Sequence, residues 1–198
     1  MTETLHQAWT RFASCLVRQA PASYTALRPP ASAERLAALE AALGFALHPE
    51  LRGLLELHEG ASRTSVGFLP LSHRLCAAVE IAEINAMFAD YEQENRDAGV
   101  WEDEDAVMGH PHQWVPFAHS IDGGLAFVDH RPGPGYGMVH EFGMGLGDCE
   151  TTVWASGLTE LFAALADSVR SAEPFGVFRP APGETPAGER VLSWDVRR

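Results

Sequence analysis

The first third of the chain alternates apolar and polar residues with the period of an α-helix. Apolar side chains at every third or fourth position predict an amphipathic helix over about residues 3–19. The members of this stripe are Leu5, Trp9, Phe12 and Leu16. Two more helices are predicted from their end signals. Ser32 is an N-cap for a helix that ends at Gly44, and Pro49 suits the first turn of a helix that stops at Gly60.

The pattern changes after Gly60 to short extended pieces. Residues 66–71 are predicted to form a strand, and Pro70 within it favours a place at the edge of a sheet. Residues 79–91 return to the helical period and predict another helix. The acidic run that follows, at residues 102–105, is predicted to be a solvated loop.

The second half of the chain carries short apolar runs separated by turn residues, which predicts consecutive antiparallel strands. The runs are residues 114–118, 125–129, 138–142 and 151–155. Ser156 then predicts an N-cap for a final helix with Leu158, Leu161 and Leu165 on its inner face. Helices first, strands next and a helix last, without βαβ alternation, favour an α+β domain over a doubly wound parallel sheet.

The length of 198 residues suits one domain, which we expect to span residues 1–171. Residues 172–198 are rich in proline and glycine and are predicted to be a C-terminal extension. Within this extension only residues 190–196 have the apolar content of an added strand.

The formal net charge is −13, and every basic residue is an arginine or a histidine because the chain has no lysine. A negative protein is repelled by phosphate backbones and by anionic membranes. We therefore expect no direct nucleic-acid or membrane partner, and a basic protein is the favoured partner.

The chain begins without a basic segment or an apolar run of the secretory type, and it has no apolar stretch of membrane-spanning length. A cytoplasmic location is expected. Cys15, Cys76 and Cys149 are odd in number and far apart, which argues against a disulfide framework and against a cysteine zinc site.

A metal-dependent hydrolase is the alternative that the histidines raise. Neighbouring strands could bring together an imidazole and carboxylate set suited to zinc or ferrous iron. Its candidate members are His119, Asp122, Asp129, His130 and His140, with His110 and His112 nearby in the sequence. The spacing matches no tight metal motif, so the expectation is no metal and no cofactor.

Other catalytic signals are absent from the sequence. No GxSxG motif surrounds any serine, and the cysteines have no identifiable base beside them. The glycine-rich residues 143–147 lack the lysine of a Walker loop and precede a predicted strand. The chain is therefore predicted not to be an enzyme.

Several motifs, in this order and spacing, resemble the SUKH superfamily, whose members include cell-wall assembly regulators. The motifs are Pro29-Pro30-Ala31-Ser32, Leu39-Glu40-Ala41-Ala42-Leu43-Gly44, His48-Pro49-Glu50-Leu51-Arg52, His58-Glu59-Gly60, Gly67-Phe68-Leu69-Pro70, Trp114-Val115-Pro116-Phe117-Ala118, Asp122-Gly123-Gly124 and Gly137-Met138-Val139-His140. The resemblance implies helices packed against one side of a strongly bent, mainly antiparallel sheet. It also implies a protein-binding module, since many bacterial relatives look like immunity proteins that silence a toxin of the same cell.

The function expected from the resemblance and the charge is binding of a protein partner, with a basic toxin domain as the leading case. A regulatory scaffold that holds a housekeeping partner is equally compatible with such a surface. An acidic surface can raise the association rate with a basic partner, and an exposed tryptophan can anchor the interface. The predicted contact residues are Trp101, Glu102, Asp103, Glu104, Asp105, Asp122 and Asp129.

Overall fold

The computed structural model describes residues 3–63, 65–99, 111–143 and 151–196, and these segments contain both helices and antiparallel strands. The described α-helices are α1 (Leu5–Gln19), α2 (Pro21–Thr25), α3 (Ala33–Leu43), α4 (Pro49–Leu57), α5 (Ala78–Asp97) and α6 (Leu158–Ser171). The described strands are β1 (Arg74–Leu75), β2 (Trp114–His119), β3 (Leu125–Asp129), β4 (Val139–Phe142), β5 (Thr151–Ala155), β6 (Phe178–Glu184) and β7 (Arg190–Val196). None of the described helices has the length and apolar content of a membrane span.

The strands form two antiparallel sheets. The larger sheet has the order β1-β2-β3-β4-β5, so that strands adjacent in the chain are also neighbours in space. The smaller sheet is the hairpin of β6 and β7. The α+β class and the antiparallel pairing predicted from the sequence are confirmed.

The main core lies between the helices and one face of the larger sheet. Val115 and Phe117 of β2 point into this core, where Trp9 and Phe12 of α1 pack against Phe162 of α6. The opposite face carries a row of stacked rings from three strands. Phe127 lies between Trp114, at 4.6 Å, and His140, at 5.3 Å between ring centroids.

The predicted helix ends of α3 are confirmed in detail. The Ser32 side chain accepts a hydrogen bond from the Arg35 amide, and Gly44 adopts the left-handed φ of 80° that ends the helix. The predicted cap of α6 is wrong, because Gly157 and not Ser156 occupies the N-cap. In the first turn of α6, the Thr159 amide donates a hydrogen bond to the Glu50 carboxylate of α4.

The strand predicted over residues 66–71 is wrong. Pro70–Ser72 forms a 3₁₀ turn, and Leu71 lies at a φ of 56°. The amides of Phe68 and Leu69 both donate to the His73 carbonyl, which folds the segment back on itself. The paired strand of this region is the short β1, immediately after the turn.

The C-terminal extension is folded onto the rest of the chain. Its strand β7 matches the predicted residues 190–196, and its partner β6 was not predicted. Leu192 belongs to the main core, and its amide donates to the Ser23 hydroxyl of α2 at 3.0 Å. The Trp194 indole donates to the Phe68 carbonyl at 2.9 Å. The hairpin therefore closes one side of the core.

Candidate functional site

Helix α5 presents a negatively charged stripe on its outer face. The stripe consists of Glu83, Met87, Asp90, Glu94 and Asp97, at alternating spacings of four and three residues that place them on one side of a helix. All five residues are exposed, and Met87 is 64% exposed at the centre. We call this set the acidic stripe.

Little in the described structure neutralises these carboxylates. Glu83 lies 3.3 Å from Arg63, a pair in which both side chains are mostly exposed and which contributes little energy. Asp97 accepts a hydrogen bond from the neutral Gln93 amide. Asp90 and Glu94 are four residues apart, and such like-charged pairs cost a helix roughly 0.2–0.5 kcal/mol. The fold gains nothing from this arrangement.

A buried ion pair fixes the N-terminal end of α5. Glu80 is bound by the Arg74 guanidinium at 2.7 and 3.1 Å and by the Ala77 amide at 2.8 Å. Burial by itself would raise the pKa of Glu80, but these bonds outweigh it and bring the pKa to about 2. Glu80 is thus ionised at neutral pH and holds the helix against β1.

A second buried glutamate fixes the C-terminal half of α5. Glu92 accepts hydrogen bonds from the His112 imidazole and, at 3.1 Å, from Arg96. The Asn85 amide donates to the His112 carbonyl. Two glutamates of α5 thus face the protein, while the carboxylates of the acidic stripe face outward in a fixed orientation.

The predicted contact residues are found in different surroundings. Trp101, Glu102, Asp103, Glu104 and Asp105 lie outside the described residues. Asp122 is exposed on the turn between β2 and β3. Asp129 is only 1% exposed, and its carboxylate is bound by Arg131 at 2.7 Å. The charge of Asp129 is thus paired within the protein and is not presented at the surface.

Asp122 has an acidic neighbour that the sequence did not indicate. Glu141 of β4 is half-buried, and burial together with the charge of Asp122 raises the pKa of its carboxyl group. Glu141 pairs with the exposed Thr152 of β5. These residues form a second acidic area at the end of the sheet that holds the β2–β3 turn.

Two of the candidate metal-ligand histidines, His119 and His130, hold hydrogen bonds within the fold. The His119 ring accepts a hydrogen bond from Arg74, and His130 accepts one from the His48 amide at 2.8 Å. Within residues 3–63, 65–99, 111–143 and 151–196, no three His, Cys, Asp or Glu side chains converge as metal ligands would. The described residues therefore contain no ligand set of the kind that the hydrolase alternative requires.

Sequence reasoning missed the acidic stripe, although its signal is in the sequence. The sequence predicts a helix over residues 79–91 and a loop at residues 102–105, and it assigns Glu94 and Asp97 to neither. The helix in fact continues to Asp97, which adds Glu94 and Asp97 to the same face as Glu83 and Asp90. The helical spacing of these four carboxylates was the signal.

Comparison with known proteins places the chain in a family. No curated protein matches it. The model of the SMI1/KNR4 family (SUKH-1) matches residues 30–164, which include helices α3 to α5, the whole larger sheet and the first turns of α6. The match covers more than half of the chain, and the chain therefore belongs to the SMI1/KNR4 family (SUKH-1).

Proposed function

We propose that this protein binds a basic protein partner through the acidic stripe of α5, and that it acts as an immunity protein that neutralises a toxin. Membership of the SMI1/KNR4 family supports a non-catalytic domain. The observation that carries the proposal is the set of four outward carboxylates around Met87 on a helix held by two buried glutamates.

The arrangement suits recognition of a cationic surface. Four carboxylates on one face, in a chain of net charge −13, attract a positive partner over several ångströms and raise the association rate. Met87 adds an exposed apolar side chain that can adapt to the shape of the partner. Because α5 is held at its N-terminal end and again in its C-terminal half, little backbone entropy is lost when the stripe is covered.

Co-expression with the proposed toxin partner, sought among the products of the genes next to this one, tests this proposal. The stripe variant carries Glu83→Gln, Asp90→Asn, Glu94→Gln and Asp97→Asn. We expect the wild-type protein to restore growth of the toxin-producing cells and the stripe variant to restore it much less, because the complementary charge has been removed.

A control variant with the same net charge as the stripe variant distinguishes an effect of the acidic stripe from an effect of overall charge. It carries Glu173→Gln, Glu184→Gln, Glu189→Gln and Asp195→Asn, at exposed positions in or next to the C-terminal hairpin. We expect this control to protect cells like the wild-type protein. Equal protection by the stripe variant and the control would contradict a role for the stripe, and failure of the wild-type protein to protect would contradict the immunity role.

A further inference from the structure

Three outer strand edges of the structure are blocked against pairing with another chain. The Ala61 amide donates to the carbonyl of Leu75 on β1, a strand of only two residues. The outward amide of β7 at Leu192 is bound by the Ser23 hydroxyl. Strand β6 carries two prolines, which lack the amide hydrogen that a new strand would need. Proteins use such features to prevent the edge of a sheet from pairing with a strand of another chain.

The outer edge of β5 has none of these devices. Strand β5 is last in the order of the larger sheet, and no residue of the described segments forms a backbone hydrogen bond to its outer side. Thr151 is partly buried at the start of this strand, and its exposed residues are Thr152 and Val153, of which Val153 is 52% exposed. These side chains are β-branched and uncharged, which favours an extended backbone and offers no repulsion to an added strand.

The acidic groups beside the outer edge of β5 favour a positive charge on any strand that pairs with this edge. Thr152 is small and exposed. The Glu141 carboxyl group is on the neighbouring strand β4, on the side of Thr152 away from the outer edge, and it is close to Asp122. A long cationic side chain on the added strand, opposite Thr152, would extend over the threonine toward these two carboxyl groups. A second copy of this chain would instead bring its own Glu141 and Asp122 to the edge, with a net charge of −13 on each copy. Charge thus favours a basic partner over self-association.

We propose that β5 binds an extended segment of a basic protein as an added strand, with an Arg or Lys side chain of that segment placed over Thr152 toward Glu141 and Asp122. This inference rests on the proposed function, in that the segment belongs to the same basic partner. Main-chain hydrogen bonds supply the affinity in this mode of recognition, and the side chains supply the specificity.

A blocked pentapeptide, acetyl-Thr-Val-Arg-Val-Thr-amide, tests the edge without any natural partner. We expect it to shift the amide resonances of Thr151, Thr152 and Val153, and to slow hydrogen exchange at those amides of this segment that point away from β4. The same peptide with Glu in place of Arg should bind at least tenfold more weakly. Absence of protection at β5 at millimolar Arg peptide, or equal binding of both peptides, would overturn the proposal.

Two lysine variants locate the binding site. Thr152→Lys places a positive charge on the edge and should weaken binding of the Arg peptide at least tenfold. Val17→Lys adds the same charge at an exposed position on α1, outside the larger sheet, and should leave binding unchanged. Equal effects of the two variants would also overturn the proposal. The stripe variant should bind the peptide like the wild-type protein. Loss of peptide binding therefore tests the β5 edge alone, whereas loss of toxin neutralisation by the stripe variant tests the acidic stripe.

Discussion

The buried His130 shows how a histidine can serve the packing of this fold instead of catalysis. Its Nε2 atom accepts a hydrogen bond from the His48 amide, and its Nδ1 atom donates to the Val128 carbonyl, both at 2.8 Å. The neutral ring satisfies both contacts, and burial lowers its pKa to about 4. His130 therefore joins the start of α4 to the end of β3 only while it is uncharged.

This contact predicts an acid-sensitive contribution to stability. An unfolded histidine has a pKa of about 6.5, so between that pH and about 4 the unfolded chain binds more protons at His130 than the folded chain does. The free energy of unfolding should therefore fall as the pH is lowered through this range, by up to about 3 kcal/mol from His130. Urea unfolding at several pH values between 4 and 7 measures the slope of the free energy of unfolding against pH.

The variant His130→Gln should show a smaller slope than the wild-type protein. The neighbouring charged groups, Asp129 and the titratable His48, remain in both proteins, so their effects cancel in the comparison. His6→Gln, at an exposed position on α1, is the control and should keep the wild-type slope. An unchanged slope in His130→Gln would contradict this account of the residue.

At the scale of elements, the C-terminal hairpin is a structural part of the domain. Leu192 is 4% exposed within the main core, whereas Val196 at the end of the same strand is 56% exposed. We expect Leu192→Ala to lower the free energy of unfolding by about 2–5 kcal/mol, because it leaves a cavity. Val196→Ala should change it by less than about 0.5 kcal/mol. Chemical denaturation measures both, and similar small losses would show that the hairpin packs only loosely.

The sequence predicted those elements whose signals are local. The N-cap at Ser32, the left-handed Gly44 and the strands from β2 to β5 follow from capping, turns and short apolar runs. The strand β6 was missed because prolines normally argue against a strand, and here they lie on its outer edge.

Features that depend on distant contacts could not be predicted in this way. The C-terminal half of α5 is held by the bond between Glu92 and His112, a residue far along the chain. The cap of α6 comes from Glu50 on another helix. Of the predicted site, Asp122 lies exposed in the turn after β2, whereas Asp129 at the end of β3 is buried and paired with Arg131, a contact that was not predicted.

At the scale of the whole molecule, the matched region and the two flanking regions form one packed structure. The helices α1 and α2 precede residue 30, and the hairpin follows residue 164. These flanking regions meet where Ser23 binds the Leu192 amide, and they leave the outer face of α5 uncovered among the described residues. The acidic stripe is therefore exposed within the part of the chain that the structure describes.

The most direct test of the central claim is the dissociation constant of the complex with the proposed toxin partner, measured at low and at high salt. The account predicts that binding weakens as salt is raised, because exposed charges are screened. It also predicts that the stripe variant binds at least about tenfold more weakly than the hairpin control of equal net charge, with a smaller salt dependence. Equal affinity and equal salt dependence of these two variants would contradict it.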